Sequence, residues 1–272
     1  MKRQIICIPL LLAVSAHIHA QSVRSQISAF YTESDPYSVI TSEVFSTAAN
    51  QATLAGVRQF SAGVYGEKRF LLQDLGYYKA AFAMPSKAGN FGLNMDYTGS
   101  STLHTSRFGL GYGRKLGEKT DVGIQFNYHT VSAAGYGRVS AITVEGGMIF
   151  QLNSRLRTGF HFFNPQGAGA SKEERPAAVY TAGLGYDASE NLSLNTIIQK
   201  TEDMPVDALA VIQYRFDNIL WARIGLSAGT SVFLVGTGIV INELRIDVSA
   251  SIHPSLGITP GLLLIYQPAL KS

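Results

Sequence analysis

From Val57 to the C-terminus, the sequence alternates apolar residues with polar residues or glycine over successive segments of roughly ten residues. The segment 122–128 shows the pattern best, because Val122, Ile124, Phe126 and Tyr128 alternate with Gly, Gln and Asn. A period of two places successive side chains on opposite faces of a β-strand. The same pattern recurs at 91–97, 108–112 and 244–248. The chain therefore predicts an all-β protein whose strands each have one apolar face.

The alternation predicts fourteen strands, near residues 57–66, 75–84, 90–98, 105–114, 120–130, 138–151, 155–164, 177–187, 191–200, 207–216, 219–228, 231–240, 242–252 and 257–267. Short turns are expected after the even-numbered strands. Longer connections are expected after the first five odd-numbered strands, at 67–74, 99–104, 131–137, 165–176 and 201–206, whereas 229–230 and 253–256 are short. Short turns at one end and longer loops at the other are typical of an outer-membrane β-barrel. A soluble β-sandwich gives no reason for loop lengths to alternate.

We therefore predict a transmembrane antiparallel β-barrel of about 14 strands over residues 57–267, followed by a tail at 268–272. An even strand count places both chain ends in the periplasm. Residues 1–20 have the three parts of a secretory signal peptide: basic Lys2 and Arg3, an apolar stretch, and a more polar stretch that ends at Ala20. The predicted location is thus the cell outer membrane, reached by export.

Composition removes several classes of function. Cleavage after Ala20 would remove Cys7, the only cysteine, and would exclude disulfides, zinc–cysteine sites and cysteine nucleophiles from the mature chain. It would also remove two of the 22 Lys and Arg residues, so the remainder nearly balances the 19 Asp and Glu residues. Such a balance argues against nucleic acid as a partner. No run of 18 apolar residues follows Ala20, so no transmembrane helix is predicted.

The alternation also predicts which side chains face the lumen. A Lys or Arg that faces lipid near the bilayer midplane costs about 2–4 kcal/mol, so the polar positions of each strand should point inward. These charges either line an aqueous channel or pair across the interior and close it. Near 231–240 and 258–265 both faces are apolar, so those walls should contact a hatch, a partner or an apolar lumen. The predicted lumen-facing residues are Asn94, Asp96, Arg107, Asp121, Gln125, Asn127, Glu145, Arg157, Arg215, Arg223, Arg245 and Asp247.

Residues 21–56 precede the first strand and lack the alternation, and Ser42–Ala55 is rich in Ala and Thr. This segment is predicted to be a hatch inserted into the barrel, with a short helix, or a periplasmic extension. Its end, Asn50-Gln51-Ala52-Thr53-Leu54-Ala55, runs directly into the first strand. It resembles the Asn-Pro-Ala-(Gly/Ala)-Leu-Ala segment before the first strand of the FadL-like superfamily. Gln51 replaces the proline of that segment, and Thr53 replaces its small residue.

The FadL-like superfamily includes the long-chain fatty-acid transporters and the outer-membrane barrels of type IX secretion, the PorV/PorQ group. The resemblance implies the same strand count and an N-terminal hatch. It also implies a hatch motif of Asn50, Gln51, Ala52 and Leu54, in which Asn50 holds the hatch at the barrel wall. The chain is shorter than fatty-acid transporters usually are, and its size is nearer to that of PorQ-like proteins.

Two further patterns are weak indications of a phosphate-binding or catalytic site. The glycines of 109–117 imitate a phosphate-binding loop, but such a loop must open a helix, and here the glycines lie within a strand. Four histidines follow Ala20, at His104, His129, His161 and His253. No Gly-x-Ser-x-Gly or His-Glu-x-x-His motif accompanies them, so we expect loop or rim histidines without a catalytic role. No enzyme activity, cofactor or metal site is predicted.

The predicted function is a non-enzymatic component of type IX secretion that binds or hands over surface-destined proteins. Its partners would be outer-membrane lipid, secretion-system proteins and secreted cargo. The charged loop 167–175 is either a solvated loop or a contact site for such a partner. The alternative is a FadL-like transporter of hydrophobic small molecules, which requires an apolar pocket near residues 42–60 and the 231–240 wall, with a kink or gap in one strand. A general porin is a third possibility, and requires a wide polar lumen.

Overall fold

The computed structural model describes residues 30–167, 176–217 and 219–268. The predicted signal peptide, residues 21–29 of the predicted hatch, nearly all of the charged loop and most of the tail lie outside these ranges. Fourteen antiparallel strands each pair with their neighbours in sequence, and β1 pairs with β14, which closes the sheet into a barrel. The predicted fold class is therefore confirmed.

The strands are β1 (Ser61–Lys68), β2 (Gly76–Met84), β3 (Asn90–Gly99), β4 (Leu103–Lys115), β5 (Thr120–Ala133), β6 (Gly137–Gln151), β7 (Leu156–Phe163), β8 (Val179–Asp187), β9 (Leu192–Thr201), β10 (Val206–Phe216), β11 (Leu220–Ser227), β12 (Phe233–Ile241), β13 (Leu244–His253) and β14 (Gly257–Tyr266). Burial alternates along them. In β5, for example, Phe126 and Tyr128 are exposed on the outer face, whereas Gln125 and Asn127 are buried inside. The period of two in the sequence thus becomes an apolar outer face and a polar inner face.

The strand boundaries differ from the prediction in two places. β1 begins at Ser61 rather than near 57, because Val57 still closes a helical turn through its N–H bond to the Leu54 carbonyl. The long connections expected at 99–104 and 131–137 are wrong. β4, β5 and β6 are 13, 14 and 15 residues long and continue to pair almost to their hairpin turns, at 100–102 and 134–136.

Helices are few and short. In the described part of the chain they are α1 (Ser46–Ala49) and three 3₁₀ turns, Gln51–Gly56, Arg69–Leu71 and Gln73–Leu75. Asn50 separates α1 from the first 3₁₀ turn, and its side-chain oxygen accepts from the backbone N–H of Ala52 at 3.0 Å. Among the described residues, no helix has the length and apolar character needed to cross a membrane.

The core lies between the barrel wall and residues 30–56, which we call the hatch. One apolar cluster packs Val44, Phe45 and Leu54 of the hatch against the inner wall. A second contains Tyr37 and Ala52 and the inward side chains of β6, β9 and β10. The first cluster includes Leu234 of β12 and Leu263 and Ile265 of β14, so the two walls with apolar residues on both faces contact the hatch.

Candidate functional site

The hatch is held to β11 and β13 by two arginines, which with their carboxylate partners we call the charged clamp. Arg223 pairs with hatch residue Asp35 at 3.1 Å, and Arg245 pairs with hatch residue Glu43 at 2.6 Å. Arg245 also binds both oxygens of Asp247. Tyr31 of the hatch donates to Asp247 at 2.7 Å. Three carboxylates thus surround two guanidinium groups in a buried site.

Further contacts fix the orientation of the two guanidinium groups. Arg223 donates to the backbone oxygen of Tyr31 at 2.5 Å and lies over its ring at 4.6 Å. Arg245 lies 4.4 Å over the ring of Trp221. Burial raises the pKa of Glu43 to about 7, and Arg245 and Arg223 oppose that shift. Burial likewise raises the pKa of Asp35, against the attraction of Arg223. Part of the clamp can therefore change its charge near neutral pH.

The opposite wall holds the hatch through close backbone contacts. The amide of Asn50 donates to the backbone oxygen of Phe160 in β7 at 3.1 Å, and its oxygen lies against Gly147 in β6. A methyl group at Gly123 in β5 would lie 2.2 Å from the backbone oxygen of Gln51. Only glycine allows such an approach without a shift of the hatch. We call these contacts the glycine seat.

The strands between these two attachments also contact the hatch. Tyr37 packs against inward glycines of β7 and β8, where an added methyl group at Gly183 would lie 2.0 Å from its ring. Ser38 donates to Asp187 at 2.5 Å, and the N–H of Val39 donates to the same carboxylate at 3.0 Å. The hatch therefore contacts the wall around much of the lumen.

A network of polar side chains covers the inner face from β2 to β7. Gln125 donates to Glu145 at 2.6 Å, and Asn127 donates to the same oxygen at 2.8 Å. Arg107 pairs with Asp96 at 2.7 Å, and His161 meets Glu145 at 3.1 Å. Lys79, buried in β2, pairs with Glu33 of the hatch at 2.8 Å. Opposite charges pair within this wall and across to the hatch.

All twelve residues predicted to face the lumen occupy inward-facing positions of their strands, by the alternation of burial. Asn94, Asp96, Arg107, Gln125, Asn127 and Glu145 come together in the polar network. Arg223, Arg245 and Asp247 come together in the charged clamp. Asp121, Arg157 and Arg215 join neither group and lie toward the short-turn end. The four hatch-motif residues are buried.

The structure assigns the remaining candidates to ordinary contacts. The glycines at 109, 111 and 113 lie on the inner face of β4, against Gln125 and Leu54. His129 contacts Thr143, and His253 accepts two backbone N–H groups at its turn. Within the described ranges, no group of three or more His, Cys, Asp or Glu residues has the arrangement of a metal site.

Three cavities lie near one another on one side of the barrel, and the paired β7–β8 ladder separates the second from the third. The vestibule, about 370 Å³, opens at the end with the longer loops and is lined by Phe30, Ile197, Leu209 and Val232 among others. A smaller inner cavity of about 50 Å³ shares Glu33, Ile197 and Gln199 with it. The inner cavity in turn shares His161 and Thr181 with a pit of about 520 Å³. The pit, around Ala182, is lined mainly by outward-facing Phe160, Phe162, Tyr180 and Ile198.

Sequence reasoning missed the hatch acids Glu33, Asp35 and Glu43 and the residues of the vestibule. One signal for the acids was present. The predicted lumen-facing set contains more Arg than Asp and Glu, so an inserted hatch had to supply carboxylates. The vestibule left no such signal, because its lining comes from the hatch, five strands and three loops that are far apart in sequence.

The fold has known counterparts. No protein-family model matches the chain, and the search of curated proteins found no match. The toluene transporter TbuX of Ralstonia pickettii is similar with a TM-score of 0.65 at 11% identity, over 84% of this chain and 94% of TbuX. The CymD monoaromatic hydrocarbon channel has a TM-score of 0.63 at 11% identity, over 90% and 94%. The Pseudomonas putida toluene transporter TodX is similar with a TM-score of 0.59 at 13% identity, over 84% of this chain and 93% of TodX.

At these identities the likeness establishes the fold alone. The counterparts are transporters and channels for toluene and other monoaromatic hydrocarbons, and their barrels agree with the predicted resemblance in fold only. The fold likewise resembles that of outer-membrane proteins. These comparisons give the PorV/PorQ part of the resemblance no support, and it remains a prediction.

Proposed function

We propose that this chain is an outer-membrane barrel that passes small hydrophobic molecules from the external medium into the membrane. The observation that carries the proposal is the succession of vestibule, inner cavity and outer pit, in which each cavity shares residues with the next. Apolar pockets with a few polar groups are the usual form of small-molecule sites. The similar folds of hydrocarbon transporters support the same class of ligand.

A straight path down the barrel axis is a poorer route. Tyr31, Phe45 and Leu54 of the hatch are buried in the lumen, and paired polar groups join the hatch to both walls. An apolar molecule on that path would have to break these pairs, and each charge left unpaired in the interior would be costly. The filled lumen also argues against a general porin.

The lateral path crosses a thinner barrier. His161 of β7 faces Thr181 of β8, and only two further residue pairs separate this position from the upper ends of the two strands. Beyond these ends, β6 continues upward without β7, because β6 pairs with β7 only from Glu145 onward. A local opening of the β7–β8 ladder therefore disrupts few backbone hydrogen bonds.

Substitution in the pit tests this route. Ala182→Trp would fill the pit from its outward-facing position. We expect it to slow the entry of the uncharged probe N-phenyl-1-naphthylamine into intact cells that produce the protein, by about tenfold relative to the wild type. The matched control, Ala80→Trp, adds the same ring to the outer face of β2, which lies outside the pit. Equal entry rates for Ala182→Trp and wild type would contradict the lateral route.

The predicted role in type IX secretion is not part of this proposal. Exposed apolar residues such as Tyr136 and Ile142 occur on the extended β5–β6 hairpin. Scattered residues of this kind are normal on a barrel surface and do not specify a protein partner. A test for secreted cargo would be co-purification from the outer membrane in mild detergent.

A further inference from the structure

We propose that the vestibule selects uncharged apolar ligands and discriminates against carboxylates, including fatty acids. This inference rests on the proposed function, because it names the ligand class of the same route. Its basis is the arrangement of charges around a cavity whose other lining residues include Phe30, Phe70, Ile197 and Met204.

Among the described residues, three carboxylates face the vestibule, from Glu33, Glu67 and Asp207, and one Lys or Arg, Arg69, joins its lining. An anionic ligand therefore meets a negative potential on entry. Coulomb interactions between charges of like sign strengthen as the ligand leaves water, because the effective dielectric constant falls. A neutral ligand experiences no such net repulsion.

The basic groups near the vestibule are already bound to carboxylates. Arg69 pairs with Glu67 at 2.7 Å. Lys79 lies behind Glu33, is buried, and pairs with it at 2.8 Å. A ligand carboxylate would have to displace one of these pairs to find a cation, and would leave a protein carboxylate without its partner.

The three acids are themselves satisfied without a ligand. Glu67 also accepts from the Tyr65 hydroxyl at 2.8 Å. Asp207 accepts from Ser227 at 2.8 Å and from the N–H of Gly229 at 2.7 Å. These hydrogen bonds hold the carboxylates at the rim of the cavity, so the carboxylates do not require a cationic ligand.

The remaining polar groups of the lining suit a neutral molecule. His253 accepts the N–H groups of Ser255 and Leu256 at its Nδ1, both at 3.1 Å. A neutral ring therefore carries its proton on Nε2, where it is a donor without a full charge. The cavity volume of about 370 Å³ falls in the range of small-molecule pockets.

Two ligands of nearly equal shape test the inference. Purified full-length protein in mild detergent at neutral pH is titrated with 2-naphthalenemethanol and, separately, with 2-naphthoate, and binding is followed by the naphthalene fluorescence. We expect the alcohol to bind at least about tenfold more tightly than the carboxylate, which corresponds to about 1.4 kcal/mol. Equal affinities, or tighter binding of 2-naphthoate, would overturn the inference and leave the proposed function standing.

Variants that remove charge test whether these carboxylates cause the discrimination against 2-naphthoate. The double variant Glu67→Gln, Asp207→Asn keeps an acceptor oxygen at each position and removes two negative charges. It should strengthen 2-naphthoate binding about tenfold and leave the alcohol unchanged. Glu190→Gln, at the short-turn end of the barrel, removes one charge outside the vestibule and should change neither affinity. A double variant with wild-type selectivity would contradict the assigned role of these carboxylates.

The proposed function fails in a different way. Val232→Trp would fill the vestibule, and we expect it to abolish binding of both ligands. If the wild type bound neither ligand, or if Val232→Trp left the alcohol affinity unchanged, the vestibule would not be the ligand site, and the proposed function would be overturned with the inference. Heat-modifiable migration on gels establishes that each variant has a folded barrel, and the wild-type comparison does not depend on any variant.

Discussion

The glycine seat and the charged clamp hold the same hatch by different physical means. At the seat, Asn50 and the backbone of Gln51 lie directly against Gly147 and Gly123, and the contacts are neutral. At the clamp, Arg223 pairs with Asp35, and Arg245 pairs with Glu43 and Asp247, in a buried site. Tyr31 also donates a hydrogen bond to Asp247. One attachment depends on shape and the other on charge.

The difference indicates which attachment can respond to conditions. A close backbone contact does not titrate, so the seat should be insensitive to pH and salt. The clamp contains Glu43, whose pKa is raised to about 7 by burial, so its charge changes in the physiological range. The seat should therefore keep the hatch in position at the β5–β7 wall while the clamp adjusts at the β11–β13 wall.

The largest effect is expected at the clamp. Arg223→Met should destabilise the docked hatch by about 3–5 kcal/mol, because it leaves Asp35 buried without its cation. The measurement is urea titration followed by the emission of Trp221, the only tryptophan, whose ring lies beneath Arg245. Arg138→Met, which removes an exposed arginine from β6, is the control and should cost less than about 1 kcal/mol. A loss below about 1 kcal/mol for Arg223→Met would show that the clamp does not hold the hatch.

A smaller loss is expected at the seat. Gly123→Ala places a methyl group 2.2 Å from the Gln51 carbonyl oxygen, so the hatch must shift, at a cost of about 1–3 kcal/mol. Gly56→Ala is the matched control, because a methyl group there meets no atom within 4 Å. The same urea titration compares them. If both variants lost the same stability, the close approach of the hatch to β5 would not explain the glycine at position 123.

The sequence predicted the seat and the clamp unequally. Alternation placed Arg223, Arg245 and Asp247 on the inner face, because facing lipid would be too costly. It gave no information about their hatch partners, since the contact between Tyr31 and Asp247 joins residues 216 positions apart. The motif at Asn50 predicted that the hatch meets the wall there, but no pattern identified Gly123 and Gly147 as the glycines that receive it.

Strand number and face followed from periodicity alone, whereas loop lengths did not. The hairpins at 100–102 and 134–136 are tight because β4 begins two residues before, and β5 ends three residues after, the bounds that the alternation predicts. Periodicity cannot detect such an extension, since neither face of it is buried. The vestibule could not be predicted either, because its lining residues come from the hatch, strands and loops that are far apart in the sequence.

The clamp should also respond to pH. The pKa of Glu43 is raised from 4.5 in the absence of burial to about 7 in the folded protein. The folded state therefore binds this proton more tightly, and its contribution to stability is full below about pH 4.5 and is lost as the pH rises through about 7. A pKa difference of this size corresponds to about 3 kcal/mol, so we expect hatch docking to weaken by up to that amount over this window.

Glu43→Gln should abolish that pH dependence, because the amide does not titrate. Trp221 emission in intermediate urea, recorded across the window, provides the readout. Glu190→Gln should keep the wild-type profile, since it removes a carboxylate outside the clamp. A Glu43→Gln profile with the wild-type slope would assign the titration to another group.

The most direct test of hydrophobic transport is to locate a ligand in the barrel. Crystals of the full-length protein soaked with 2-bromonaphthalene would be examined for anomalous scattering from bromine. The account predicts a bromine position inside the vestibule, among Phe30, Ile197 and Leu209. Bromine found only on the lipid-facing surface, with none in the vestibule, would contradict it.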